Sequence, residues 1–173
     1  MNENFKGFRV GDLFDIHPTR SYGLTNVKLF KTKGNTPVIV NSSVNNGVGG
    51  YVDLPPLEKG NIITYSDTTT SEGIFYQPED FIGYSHVQGL YPRNKSRWNK
   101  NLYLYFITAF TTAVKGKYSY GAKFNRTKAA DEIVYLPTTN KSEIDYTYME
   151  KLIKELEEER IDELKAYLKA RCN

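Results

Sequence analysis

No aspartate or glutamate occurs in the fifty residues from Phe81 to Ala130. Nine bases do: Arg93, Lys95, Arg97, Lys100, Lys115, Lys117, Lys123, Arg126 and Lys128. The chain as a whole is only +3 at pH 7, so acids elsewhere hide this local excess. An ordinary solvated surface mixes signs, whereas a one-signed basic stretch interleaved with aromatics and amides fits a polyphosphate partner. Cysteine is also nearly absent. The single Cys172 leaves no internal disulfide and fits a reducing compartment. With only two histidines, far apart, a structural zinc site has too few ligands. No apolar run approaches the ~20 residues that cross a bilayer, and Met1 to Lys6 lacks the apolar core of a signal peptide. The expectation is a soluble cytoplasmic protein with no membrane contact.

Catalytic signals are missing as well. No glycine-rich loop precedes a lysine in the phosphate-cradling order, and no His-Glu metal motif is present. Serine, histidine and aspartate occur in no recognisable nucleophile context. Glu58 and the pair Glu79-Asp80 fall on loops without the spacing of a metal-dependent nuclease. We therefore expect no catalytic residues, no metal and no cofactor.

What is present reads as an α+β chain. Residues 1–137 alternate short apolar runs with Gly, Pro, Asn and Asp clusters, the signature of many short strands. Candidate strands are 36–40, 50–52, 61–65, 73–77, 81–84, 87–91 and 132–136. Asn45-Asn46-Gly47 opens a turn cluster. Between Asn101 and Val114, Leu102, Tyr105, Phe106, Ala109, Phe110 and Ala113 recur at three- and four-residue steps, which predicts an amphipathic helix packed on the sheets. Residues 138–144 read as a linker.

Residues 145–173 form one long helix of coiled-coil type. Asp145 is placed to cap it, with Ile144 and Met149 spaced as a hydrophobic staple. Its polar face holds eight acids and six bases. Its apolar stripe is Met149, Leu152, Ile153, Leu156, Ile161, Leu164, Tyr167 and Leu168, with an interruption over residues 157–160. Two destinations are open for that stripe: a partner helix, or the helix's own domain.

Candidate partner-facing residues fall in several groups. Lys115, Lys117, Lys123, Arg126 and Lys128 suit phosphates, which position a protein on DNA. Gln88, Arg93, Arg97, Asn125 and Arg126 have the chemistry of base readers. Lys95, Tyr118 and Tyr120 share the same basic, aromatic stretch. Ser42, Asn45 and Asn46, and then Thr68 and Thr69, lie on loops with short donors and acceptors. The bland alternative for these loops is turn chemistry. His86 stands near or inside a strand, where it can either donate to a phosphate or base or be satisfied internally.

Taken in order, these motifs resemble the DNA specificity (S) subunit of type I restriction-modification systems, as one target-recognition domain with its spacer helix. The resemblance rests on Phe8 to Ile16, Pro37 to Ser42, Asn46 to Val52, Gly73 to Gln77, Tyr118 to Arg126, Ile133 to Pro137 and Ile144 to Glu150. It covers almost the whole chain. It implies sequence-specific recognition of double-stranded DNA on behalf of a DNA methyltransferase (modification) subunit and a restriction subunit, with no catalysis in this subunit. It also implies that the long helix serves spacing and methyltransferase contact. The family carries two such domains and two helices that pair antiparallel; this sequence shows one of each, which fits a half-subunit that dimerises, a fragment or a single-domain relative. A homodimer through the helix is the expected arrangement, and if it is symmetric its target is palindromic and bipartite. A carbohydrate- or protein-binding β domain is the competing class, because 14 tyrosines could form a stacking platform.

Overall fold

The computed structural model describes residues 4–67, 73–119 and 121–171. In chain order the elements are β1 (Asn4–Arg9), α1 (Val10–Leu13), β2 (Phe14–Pro18), α2 (Asn26–Leu29), β3 (Thr36–Ile39), a 3-10 turn (Asn45–Gly47), β4 (Val48–Val52), β5 (Ile62–Ser66), β6 (Ile74–Gln77), β7 (Ile82–Gly83), β8 (Val87–Pro92), α3 (Lys100–Val114), α4 (Arg126–Asp131), β9 (Ile133–Thr138) and α5 (Tyr146–Arg171).

The central antiparallel sheet has the order β2-β8-β5-β6. Strand side chains alternate between faces, and β5 shows what each face meets. Ile63 and Tyr65 join Phe106 and Phe110 of α3 in the main core. Ile62 turns the other way, to Ile39 and Phe81 beside the smaller β4-β3-β7 sheet. The domain is thus a helix, a sheet and a second sheet stacked in layers. Aromatic packing fills the first interface: Phe14 lies 4.6 Å from Trp98 and 4.7 Å from Phe106, centroid to centroid.

Every strand expected from sequence appears within a few residues of its place, and the amphipathic helix is α3. Two strands and three short helices were not foreseen. β1 pairs antiparallel with β9, Asn4 opposite Thr138. Its exposed, non-alternating sequence carries no periodic signal, and a partner more than a hundred residues away supplies its hydrogen bonds. β2 was hidden in the same way inside the Phe8–Ile16 motif. α1, α2 and α4 are too short for a 3.6-residue period to register.

Asn45 and Asn46 take positive φ (53° and 52°) before Gly47 at 75°, which is the turn the asparagine-glycine cluster predicts. Residues 138–144 close as a tight hydrogen-bonded turn, with Thr139 N–H donating to Glu143 O at 2.8 Å and Asp145 N–H to Pro137 O at 2.9 Å.

At the start of α5 the cap is formed: Tyr148 N–H donates to Asp145 Oδ1 at 2.9 Å. Burial of the apolar stripe differs along the helix. Met149 is fully buried against the domain, and Leu152 and Ile153 are half-buried. Leu156, Ile161, Leu164, Tyr167 and Leu168 are exposed.

Candidate nucleic-acid interface

Asp67 organises one end of the central sheet. It follows β5, where its carboxylate meets two residues of the β7–β8 connection and of β8. Gln88 Nε2 donates to Asp67 Oδ2 at 2.6 Å. His86 Nδ1 lies 3.1 Å from Asp67 Oδ1. His86 stands in the turn before β8, with φ of 65°, and its side chain is exposed. Asp67 N–H donates to His86 O at 3.1 Å, so backbone and side chain close the same bridge. Gln88 is buried, and its Oε1 has no hydrogen-bond partner among the described residues. Tyr65, directly opposite Gln88 across β5 and β8, is buried, and its hydroxyl has no hydrogen-bond partner among the described residues. Burial first, then the Asp67 charge, raises that phenol above its ordinary 10.0, and Arg126 opposes the shift. Asp67 was missed in the sequence because an acid inside a Ser/Thr loop carries no signal of what it orients.

The loop residues mostly serve their own backbone. Ser42 Oγ bonds the Val44 backbone at 3.2 Å. Asn45 Nδ2 donates to Val48 O at 2.9 Å, and Asn46 Nδ2 to Tyr76 O at 3.0 Å. Gln77 Nε2 returns to Asn46 O at 3.0 Å and also reaches Thr64 Oγ1 at 2.9 Å, which ties the turn to the central sheet. Thr68, Thr69 and Tyr120 lie outside the described residues.

The basic run splits in space. β8 spans six residues, so His86 before it and Lys95 after it stand at opposite ends of the sheet, about 20 Å apart. Near the β8–α3 connection, Arg97 lies over the Tyr146 ring at 5.6 Å, and Lys95 is exposed. Along the β2 edge, Arg93 and Arg126 line one cleft of about 380 Å³ together with Arg9 and Asp15. Arg93 Nε donates to Gly11 O at 2.9 Å. Arg9 is held by Asp131 at 2.5 Å, which with Asp12 raises its guanidinium above the ordinary value. Asn125 Oδ1 accepts from Lys128 N–H at 3.0 Å and so caps α4. This fixes the backbone that displays Arg126.

Acids from outside the run neutralise part of it. Lys117 Nζ donates to Glu132 Oε2 at 2.7 Å, and the Tyr118 hydroxyl donates to Glu132 Oε1. Lys128 lies over the Tyr118 ring at 5.5 Å. Lys100 pairs with Glu157 of α5. Lys95, Lys115 and Arg126 make no ion pair with a described residue. Lys123 is exposed on the loop before α4.

A second surface is apolar. A groove of about 520 Å³ runs between α3, β9 and the first turns of α5, lined among others by Phe5, Ala109, Ala113, Ile133, Tyr135 and Leu156. It continues into the exposed half of the α5 stripe. No helix is long and apolar enough to cross a membrane, and no cluster of three or more His, Cys, Asp or Glu could hold a metal, among the described residues.

Residues 2–166 match the family described as the type I restriction modification DNA specificity domain. A relative from Heyndrickxia coagulans, the type II restriction enzyme BgcI specificity subunit S.BcgI, is 28% identical over 155 residues, covering 87% of this chain and 42% of its own. The S subunit of a type I restriction-modification system from M. genitalium superposes with a TM-score of 0.59 at 14% identity, over 98% of this chain and 42% of that one. The HsdS subunit from Thermoanaerobacter tengcongensis does so with 0.59 at 9%, over 92% and 39%. The chain shares their fold and spans about two fifths of their length.

Proposed function

Because the chain belongs to the type I restriction modification DNA specificity domain family, we propose that it recognises a duplex DNA sequence and directs a methyltransferase subunit to it, contributing no catalytic group itself. The observation that carries this reading is the family match over almost the whole chain. The exposed bases Lys115, Lys123 and Arg126, together with the Asp67, His86 and Gln88 cluster, give it a physical form. The bases would hold phosphates, which fix position. His86, exposed and oriented by Asp67, would stand toward base edges, and the buried Gln88 would hold Asp67 in place. In this reading, residues 1–137 are the recognition domain, 138–144 the connection and 145–173 the spacing helix, in a cytoplasmic complex.

The exposed stripe of α5 supports a partner helix of the same kind. Reflection through residue 160 exchanges Leu152 with Leu168, Ile153 with Tyr167, and Leu156 with Leu164. An antiparallel two-fold pair requires such a pattern, because each position then faces its mirror image. Ile161 falls opposite Glu159, and Met149, buried in its own domain, falls opposite Arg171. The pair would also bring the distal stripe of one helix over the apolar groove beside Leu156 of the other. A symmetric dimer of this form reads a palindromic bipartite target.

The test is duplex-DNA binding by fluorescence anisotropy over a salt series with a randomised pool, followed by sequencing of the retained fraction. Affinity that falls steeply with salt and enriches a two-part sequence is the expected result. No binding at low salt, alone or with the methyltransferase subunit, overturns the reading. A monomeric mass at high micromolar concentration overturns the dimer.

A further inference from the structure

The contact between Asp67 and His86 decides what kind of atom the exposed ring can meet. His86 Nδ1 lies 3.1 Å from Asp67 Oδ1, and Gln88 Nε2 donates to Asp67 Oδ2 at 2.6 Å. A carboxylate accepts hydrogen bonds and donates none. The single N–H proton of a neutral imidazole therefore sits on Nδ1, and the Nε2 lone pair is left as an acceptor. Nε2 bonds no described residue, and the side chain is 61% exposed.

The ring is fixed from two sides. Gln88 is buried in β8 and keeps the Asp67 carboxylate turned toward His86. Asp67 N–H donates to His86 O at 3.1 Å, so the two residues are also joined through their backbones. His86 takes φ of 65°, a left-handed conformation uncommon outside glycine, and these bridges hold it there. A ring restrained in this way has little freedom left to lose when Nε2 meets a partner.

Charge narrows the choice of partner. Among the described residues Asp67 makes no ion pair except with His86. With a neutral ring the pair carries one negative charge, which repels a phosphate and attracts a donor. In the major groove the donors of bases are exocyclic amino groups, N6 of adenine and N4 of cytosine. Guanine O6 and N7 and thymine O4 are acceptors and would meet Nε2 lone pair to lone pair.

We propose, on the DNA-recognition reading above, that His86 is a specificity-determining residue. Its Nε2 accepts a hydrogen bond from the exocyclic amino group of one adenine or cytosine. Asp67 is the positioning residue that sets this polarity.

Two measurements at about pH 8, where free imidazole is neutral, test it. Nitrogen NMR of the full chain without DNA should find the His86 proton on Nδ1 and Nε2 bare. A proton on Nε2 overturns the proposal. Selection from a randomised duplex pool, alone or with the methyltransferase subunit, then compares the unchanged protein with His86→Gly, a residue that suits positive φ. The variant should lose its preference at one position, where the unchanged protein selects adenine or cytosine; which of the two is selected identifies the amino group. Deleting that amino group alone, with purine for adenine or pyrimidin-2-one for cytosine, should weaken the unchanged protein about tenfold and the variant not at all. Equal losses in both proteins overturn the proposal, as does guanine or thymine at the His86-dependent position. So does a uniform loss across sequences with a shallower salt slope in His86→Gly, the mark of a phosphate contact. No duplex binding by the unchanged protein overturns the recognition reading as well, whereas binding without the position-specific loss overturns only the role of His86.

Discussion

Lys100 Nζ lies 2.6 Å from Glu157 Oε1, an acid on a different helix 57 residues further along the chain. The run that is free of acids in sequence is not free of them in space. Both side chains are substantially exposed, so the pair contributes little to stability. Lys100→Ala is expected to cost under about 1 kcal/mol in urea unfolding. Because Lys100 is already paired, the same variant should leave the salt slope of DNA binding unchanged.

Arg126 is the contrasting case. It projects from the first turn of α4 and makes no ion pair with a described acid. Arg126→Ala should make the salt slope of duplex-DNA binding shallower by about one unit. Lys117→Ala, whose ammonium is held by Glu132, should not. Equal effects of the two substitutions would show that the ion pair opens on DNA.

Glu132 joins the loop after α3 to the start of β9 through Lys117 and Tyr118. It is buried, and Glu132→Ala leaves the Tyr118 hydroxyl without its acceptor. A loss of about 1–3 kcal/mol is expected by urea unfolding. The half-exposed Lys117 recovers water and keeps the cost in that range. Glu132→Gln, which still offers Tyr118 an oxygen, should cost less.

Along α5 the stripe predicts opposite behaviours. Met149→Ala should lower stability by about 2–5 kcal/mol at any protein concentration, because Met149 is buried in its own domain. Leu164→Ala should leave a dilute monomer unchanged and weaken association, read by sedimentation over a concentration series. A concentration-independent loss in Leu164→Ala would mean that this half of the helix has no partner helix.

Tyr65, Tyr91, Tyr103 and Tyr118 all have phenols raised above the ordinary 10.0, chiefly by burial. Folded, they keep their protons where unfolded tyrosines lose them. Stability is therefore complete below pH 10 and falls as pH rises above it. Ultraviolet titration should show these four ionising late, in a steep step that coincides with unfolding.

The sequence made legible what is written in neighbouring residues. The period of α3 lies in the steps from Leu102 to Ala113. The helix start of α5 is stated by Ile144, Asp145 and Met149 within six residues, and the positive-φ turn by Asn45-Asn46-Gly47. Such signals are local because a helix face, a cap and a turn each close over a few residues. α4 left only one such trace, the capping Asn125, because six residues cannot establish a period.

Charge and site geometry were not local. The acid-free run from Phe81 to Ala130 determined that this protein presents a basic surface, and the motif order determined its family. The tertiary structure decided which bases remain available, by bringing Glu132 to Lys117 and Glu157 to Lys100. It also set Asp67 between His86 and Gln88, put Lys95 at the far end of the sheet, and buried Met149 while leaving Leu164 exposed. The reason is physical: a charge or a donor is neutralised by whatever lies within a few ångströms of it, and chain separation says nothing of that distance until the sheets and helices have packed.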